Sequence, residues 1–179
     1  YLLPNNKGDR IIVFNGKRFR IDKKKYEVHP VTNVTWFGAN AFCSFFGLKL
    51  PSDMEWEKSA RGTPIFLNSW CDTLSSKLAN YFKSGDPYDN GTTPIKFFDG
   101  KSHDAFETYD NSSVYGIYDL VGNVSEWTRD FRDIYPKCRV FRGGSWMNNK
   151  KDLVYLLKGE GGPTLQTDYI GFRCVKYSE

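Results

Sequence analysis

The sequence predicts a single α+β domain over residues 1–179, with two consecutive helices, short strands and long irregular connections, and three observations lead there. Two helix-start signals follow one another between residues 35 and 62. Short β-type runs punctuate the C-terminal half. Between them, residues 63–113 lack periodicity and are frequent in Gly, Pro, Asn and Asp. A chain of 179 residues is long enough to bury roughly 70% of its unfolded surface around one core. Aromatic residues make up 17% of it, above ordinary usage, which suits irregular backbone pinned by large rings.

From Thr35 the residues Trp36, Ala39, Phe42, Cys43 and Phe46 fall on one stripe at helical spacing. Thr35 is placed to cap the first turn and Gly47 to stop the last. A second helix follows at once, because Ser52 with Glu55 three residues later forms a capping box. Gly62 ends that run, and Trp56 and Ala60 give it an inward face. So long an irregular stretch as 63–113 in a compact domain calls for a metal, a disulfide or a functional reason. Residues 139–142 and 171–175 read as strands.

Composition excludes several classes of function. The net charge is modest, +4, and Lys23, Lys24 and Lys25 form a run without a second basic cluster, so they read as a solvated face and nucleic acid is not an expected partner. No apolar run approaches the roughly 18 residues needed to span a bilayer. There is no GxSxG, HExxH, CxxC or phosphate-cradling glycine loop. Ser145 has no neighbouring His to act as its base and reads as structural. His29, before a Pro at an expected strand entry, reads the same way. The sequons at Asn33, Asn90, Asn111 and Asn123 are read as incidental. Four cysteines leave the choice of pairing open.

Three strings in order, YGIYDLVGNVSEW (115–127), RGGSW (142–146) and GFRC (171–174), resemble the formylglycine-generating enzyme family, the sulfatase-modifying factors. The resemblance extends through HPVTNVTWFGANAFCSFFGLKLPSDMEWEKSARG (29–62) and ANYFKSGDPYDNGTTP (79–94), leaving residues 1–28 as a divergent segment and the family's N-terminal part missing. It implies the C-type lectin-like fold. It also implies structural Ca²⁺, held at one site by the side chains of Asp119 and Glu126 with the carbonyls of Gly122 and Val124. A second site maps to Asn80, the carbonyl of Tyr81, Asp86 and the carbonyl of Tyr88. Carboxylates around a glycine turn suit such a hard cation, although the residues alone equally allow Asp119 and Glu126 as turn and capping groups. A family disulfide maps onto Cys43 and Cys174; closing about 130 residues, it would contribute on the order of 5 kcal/mol at most. Such a link implies an extracytoplasmic or cell-surface location. Cys71 and Cys138 match no pair.

The resemblance also supplies a test of catalysis. Family enzymes oxidise a substrate cysteine with O₂ on copper held by two cysteines just after the GGS-aromatic motif, five residues apart, and soft thiolates are what Cu(I) requires. Those positions are Asn148 and Leu153 here, and the Arg-rich run that follows is replaced by Val154-Tyr155-Leu156-Leu157. A related branch holds iron with three histidines, whereas this chain has two, His29 and His103. Neither copper nor iron is therefore expected, and the leading expectation is a non-catalytic module that binds a protein or small ligand in a groove formed by residues 146–170. Its strongest form resembles variable proteins of diversity-generating retroelements. Expected contacts are Trp146, Asn148, Asn149, Tyr155, Glu160, Gln166, Asp168 and Tyr169, a paratope-like mixture of aromatic and adaptable polar groups. The alternatives are an accessory domain of a larger protein, such as a kinase-linked or surface-lipoprotein module, and an oxidoreductase with a displaced thiol pair, Cys71 and Cys138.

Overall fold

The computed structural model describes residues 12–14, 16–17, 19–21, 24–61, 75–132, 137–153 and 158–177. Strands β1 (Ile12–Phe14) and β2 (Phe19–Ile21) form an antiparallel hairpin. Helices α1 (Trp36–Phe45) and α2 (Asp53–Arg61) follow, then a small hairpin of β3 (Ser102–His103) and β4 (Phe106–Glu107). The main sheet comes last. It comprises β5 (Ser125–Phe131), β6 (Arg139–Arg142), β7 (Lys158–Gly161) and β8 (Ile170–Phe172), in the order β7-β6-β5-β8, with β5 and β8 parallel and the other pairs antiparallel.

Both helices start where the capping residues dictate. The Thr35 hydroxyl accepts from the Gly38 N–H at 3.0 Å, and the chain leaves α1 through Gly47 at φ +68. There the Leu48 and Gly47 N–H groups return to the Cys43 and Ser44 carbonyls at 2.8 and 3.1 Å, which satisfies carbonyls the helix end would otherwise orphan. In α2 the Ser52 N–H donates to Glu55 at 2.7 Å and the Glu55 N–H to the Ser52 hydroxyl at 3.1 Å. Gly62 lies outside the described residues.

The α1 stripe needs one correction. Trp36, Ala39 and Cys43 are buried against Leu50, Trp127 and Ile170, but Phe42 and Phe46 are 50% and 58% exposed. The arc that meets the sheet is narrower than the apolar stripe, so Phe42 packs instead against Phe46 in a tilted pair and against Phe172 edge-on, with centroids 4.9 and 5.5 Å apart. Two indoles tie α1 and its lead-in to β5: Trp36 Nε1 donates to the Thr128 carbonyl at 2.7 Å and Trp127 Nε1 to the Val34 carbonyl at 3.1 Å. The second helix is pinned by charge. Arg142 on β6, nearly fully buried, binds Asp53 and reaches Glu57 at 2.6 Å, while Lys158 on β7 binds Asp53 at 2.6 Å. Strand 139–142 is as expected; the 171–175 run is β8 plus a bridge from Val175 to Lys49.

Candidate functional site

The turn between the small hairpin and β5 is built from conformations that single residues rarely accept. Asp119, Gly122 and Asn123 have φ of 58, 76 and 58. Glycine is required at position 122, because a Cβ there would collide with the Asn80 carbonyl oxygen. That same oxygen accepts the Asn123 N–H at 2.9 Å, and the Asn123 side chain bonds the Thr93 N–H and carbonyl at 3.1 and 3.3 Å. A glycan on Asn123 would have no room. The turn is joined to the GGSW string by bonds from the Gly122 N–H to the Gly143 carbonyl at 3.0 Å and from the Trp146 N–H to the Asn123 carbonyl at 2.9 Å. Arg173 of the terminal GFRC closes the assembly. Its guanidinium binds Glu126 twice, at 2.5 and 2.6 Å, and reaches the Tyr118 and Asp119 carbonyls at 3.1 and 3.3 Å. Trp56 Nε1 donates to the same carboxylate at 2.6 Å.

Asp119 Oδ1 and Asn80 Oδ1 are buried without a hydrogen-bond partner, as are Thr93 Oγ1 and Asn111 Oδ1 nearby. Burial pushes the Asp119 carboxyl above its ordinary range against the Lys96 N–H, which its Oδ2 accepts at 2.5 Å. Burial raises Asp86 likewise; its oxygens accept the Tyr88 N–H at 2.7 Å and the Ser84 hydroxyl at 2.6 Å. The Tyr81 and Tyr88 carbonyls each take one turn bond, from Ser84 and Gly91 at 3.0 Å, and Asn80 Nδ2 donates to the Gly91 carbonyl at 2.7 Å. An orphaned buried acceptor costs free energy unless a cation or donor meets it. One orphaned oxygen at each expected site is donor chemistry of the kind Ca²⁺ takes. Glu126 is different: its charge is already met by Arg173 and Trp56, so here it anchors the turn to α2 and to the chain after β8. The sequence placed Trp56 only on an inward helix face and Arg173 only in the GFRC string; their bonds to Glu126 span 70 and 47 residues and leave no local signal.

The two positions that carry copper thiolates in family enzymes are occupied differently. Asn148 Oδ1 accepts the Ser145 N–H at 2.8 Å and the Ser145 hydroxyl at 3.0 Å, so Asn148 and Ser145 lock one turn and Ser145, almost fully buried, has no His beside it. Leu153 is 3% exposed and packs with Ala79 and Val121 in a second core, flanked by Ala60, Leu78 and Tyr81. Among the described residues no three His, Cys, Asp or Glu side chains converge. His29 is held by Thr92 at 2.8 Å between Tyr26 and Tyr88, in a turn rather than at a strand entry. Cys71 lies outside the described residues, and Cys138 is half-buried with its carbonyl accepting the Arg132 N–H at 3.0 Å. The sulfurs of Cys43 and Cys174 face each other at 2.6 Å, and burial, then the partner sulfur, pushes the Cys43 thiol up to about 12.

The expected contact residues do not all meet. Trp146 is half-buried, its indole N–H toward the Asp168 carbonyl at 3.5 Å; Gln166 and Tyr169 lie in the same segment before β8, Tyr169 packing on the core. Glu160 lies on β7, at the opposite edge of the sheet, where it pairs with Arg132 at 2.9 Å. Asn149 is exposed beside Asp152, and Tyr155 lies outside the described residues. Two exposed residues that the sequence did not single out lie on adjoining loops here: the Phe82 N–H donates to the Asn148 carbonyl at 2.9 Å, and Phe82 and Met147 are 40% and 50% exposed.

A family model for the sulfatase-modifying factor enzyme 1-like domain matches residues 7–178. The chain belongs to this family. Family membership begins upstream of the motifs, which start at His29. The inactive Cα-formylglycine-generating enzyme 2 of Mus musculus is 34% identical over 166 residues, covering 86% of this chain and 50% of that protein. The serine/threonine-protein kinase Pkn1 of Chlamydia trachomatis is 32% identical over 169 residues, covering 84% of this chain and 25% of the kinase. The chain thus spans a quarter to a half of the length of these sulfatase-modifying factor relatives. Among solved structures, Treponema denticola variable protein 1 superposes with a TM-score of 0.60 at 21% identity, covering 82% of this chain and 70% of that one. PvdO from Pseudomonas aeruginosa gives a TM-score of 0.64 at 20% identity, over 90% and 69%. These likenesses establish the C-type lectin-like α+β fold.

Proposed function

We propose that this sulfatase-modifying factor domain is a non-catalytic binding module, in which the family's copper site has become core and turn and the neighbouring surface recognises a ligand. The observation that carries the reading is Leu153, a buried core side chain at a thiolate position, with Asn148 spent on capping Ser145 at the other. A thiolate pair is what Cu(I) requires, and neither residue supplies one. Similarity to an inactive formylglycine-generating enzyme 2 supports the same direction. That residues 147–170 form a diversified surface is part of the proposal and rests on their departure from the family pattern. Structural Ca²⁺ at Asp119 and at Asn80 with Asp86, a Cys43–Cys174 disulfide and an extracytoplasmic location complete it.

Anaerobic Cu(I) titration tests the loss of the metal site. Absence of tight stoichiometric binding is expected; tight binding that disappears in Cys138→Ser would replace this reading with the displaced-thiol oxidoreductase. A second reading, an accessory domain of a longer kinase-containing protein, is favoured by the match to one quarter of a chlamydial kinase. It is compatible with binding, since an accessory domain of this kind would also act by recognising a partner.

A further inference from the structure

We propose that the surface formed by Phe82, Trp146 and Met147 docks an acidic peptide segment that carries an apolar or aromatic anchor residue. This rests on the binding-module reading and specifies the chemistry of its partner. The two loops that supply the surface are fixed to each other by the Phe82 N–H bond to the Asn148 carbonyl at 2.9 Å. The bonds from Ser145 to the Asn148 side chain fix the turn that presents that carbonyl. Phe82 and Met147 nevertheless present about half their surface to solvent, and Trp146, the chain neighbour of Met147, is half-buried. Aromatic and Met side chains are enriched at interfaces, the rings because little freedom is lost when they are covered and Met because it adapts its shape to the partner.

The rim of this surface carries three exposed lysines. Lys83 follows Phe82, its Nζ 5.2 Å from the ring centroid, and Lys150 and Lys151 stand exposed in the 3₁₀ turn that follows Met147. Among the described residues none of these three has a carboxylate at ion-pair distance, whereas Lys77, Lys101 and Lys158 are paired with Glu107, Asp99 and Asp53. Two carboxylates lie near them: Asp152 in the same turn, bonded by Asn149 Nδ2 at 3.3 Å, and Asp168, whose backbone carbonyl faces the Trp146 indole at 3.5 Å. Positive charge beside an apolar platform draws carboxylates to the rim while the rings take an apolar anchor, and the charge sets selectivity and encounter rate more than total affinity.

The test is selection of a random-peptide display library on the immobilised full chain, followed by titration of the enriched synthetic peptides. Enriched peptides should carry Asp and Glu next to Phe, Trp or Leu. Their affinity should fall about tenfold or more in Phe82→Ala and in the Lys150→Glu/Lys151→Glu pair, and should weaken with added salt. All three positions are exposed, so unchanged melting temperatures verify that the variants fold. Enrichment of neutral or basic peptides lost in Trp146→Ala would overturn the acidic partner while leaving the binding module standing. No enrichment, together with binding of a single-stranded oligonucleotide or of phosphatidylglycerol vesicles that the lysine pair abolishes, would overturn the peptide in favour of another polyanion. Failure of the module itself would be seen separately, as Cu(I) binding.

Discussion

At Asp119 burial works against the very charge that a cation would use. Its carboxyl is pushed up by desolvation and one oxygen has no partner, a combination that costs stability until something positive arrives. Asn80 Oδ1 is in the same position at the second site. If both sites take Ca²⁺ only in the native state, Ca²⁺ at about a hundred times its dissociation constant should stabilise the fold by about 2.7 kcal/mol per site. That corresponds to a rise in melting temperature of about 5–10 °C for a chain of this size. Asp119→Ala and Asn80→Ala should each remove part of the rise, and identical curves in Ca²⁺ and in chelator would dismiss the metal. The need for glycine at 122 was legible in the motif; its cause, the Asn80 carbonyl some forty residues earlier in the chain, is a tertiary contact that no local pattern records.

Between elements, the helices were readable and the central strand was not. The Thr35 cap, the Ser52–Glu55 box and Gly47 are local chemistry, so their positions in the sequence are their positions in the fold. Strand β5 was hidden. Flanked on both sides by β6 and β8, it buries four consecutive residues, Ser125 to Thr128, and so lacks the alternation that marks a half-exposed strand. The Asp53–Arg142–Lys158 network that holds α2 to β6 and β7 was equally invisible, since its members are 89 and 105 residues apart. For Asp53, burial raises the carboxyl pKa, but the bonds from Arg142 and Lys158 outweigh it and leave the group below its ordinary 3.8. A lowered native pKa means stability that is present above the unfolded value and lost as pH falls through the native one. Asp53→Asn should therefore cost about 2–3 kcal/mol at pH 7, because it leaves the buried Arg142 undercompensated. The difference from wild type should shrink below pH 4 or so, and thermal melts of both proteins from pH 7 to pH 3 measure it; a pH-independent gap would assign the loss to packing instead. Across α1 and the segment after β8, Cys43 and Cys174 should be recovered as one linked peptide when natively produced protein is mapped without reduction, and two free thiols would contradict the disulfide and the location inferred from it.

For the molecule as a whole, three sequence strings far apart in the chain converge: the 118–126 turn, the GGSW turn and Arg173 interlock through direct hydrogen bonds. Their order and residues announced the family, and the fold follows from it. What the strings could not disclose is the use of the surface above them, because recognition depends on which exposed residues tertiary structure gathers: Phe82 was tied to the GGSW turn by its backbone bond to Asn148, and Glu160 was carried to the far edge of the sheet. The scaffold is thus retained while the two positions that hold copper in family enzymes have been absorbed into a turn and a core. Restoring the thiols as Asn148→Cys with Leu153→Cys should not by itself restore chemistry, since metal centres depend on the groups around their ligands. The most direct test of the account is formylglycine production on a cysteine-containing sulfatase peptide, supplied with Cu(I) and O₂. The account predicts no formylglycine from the wild-type chain, and clear turnover by that chain would contradict it.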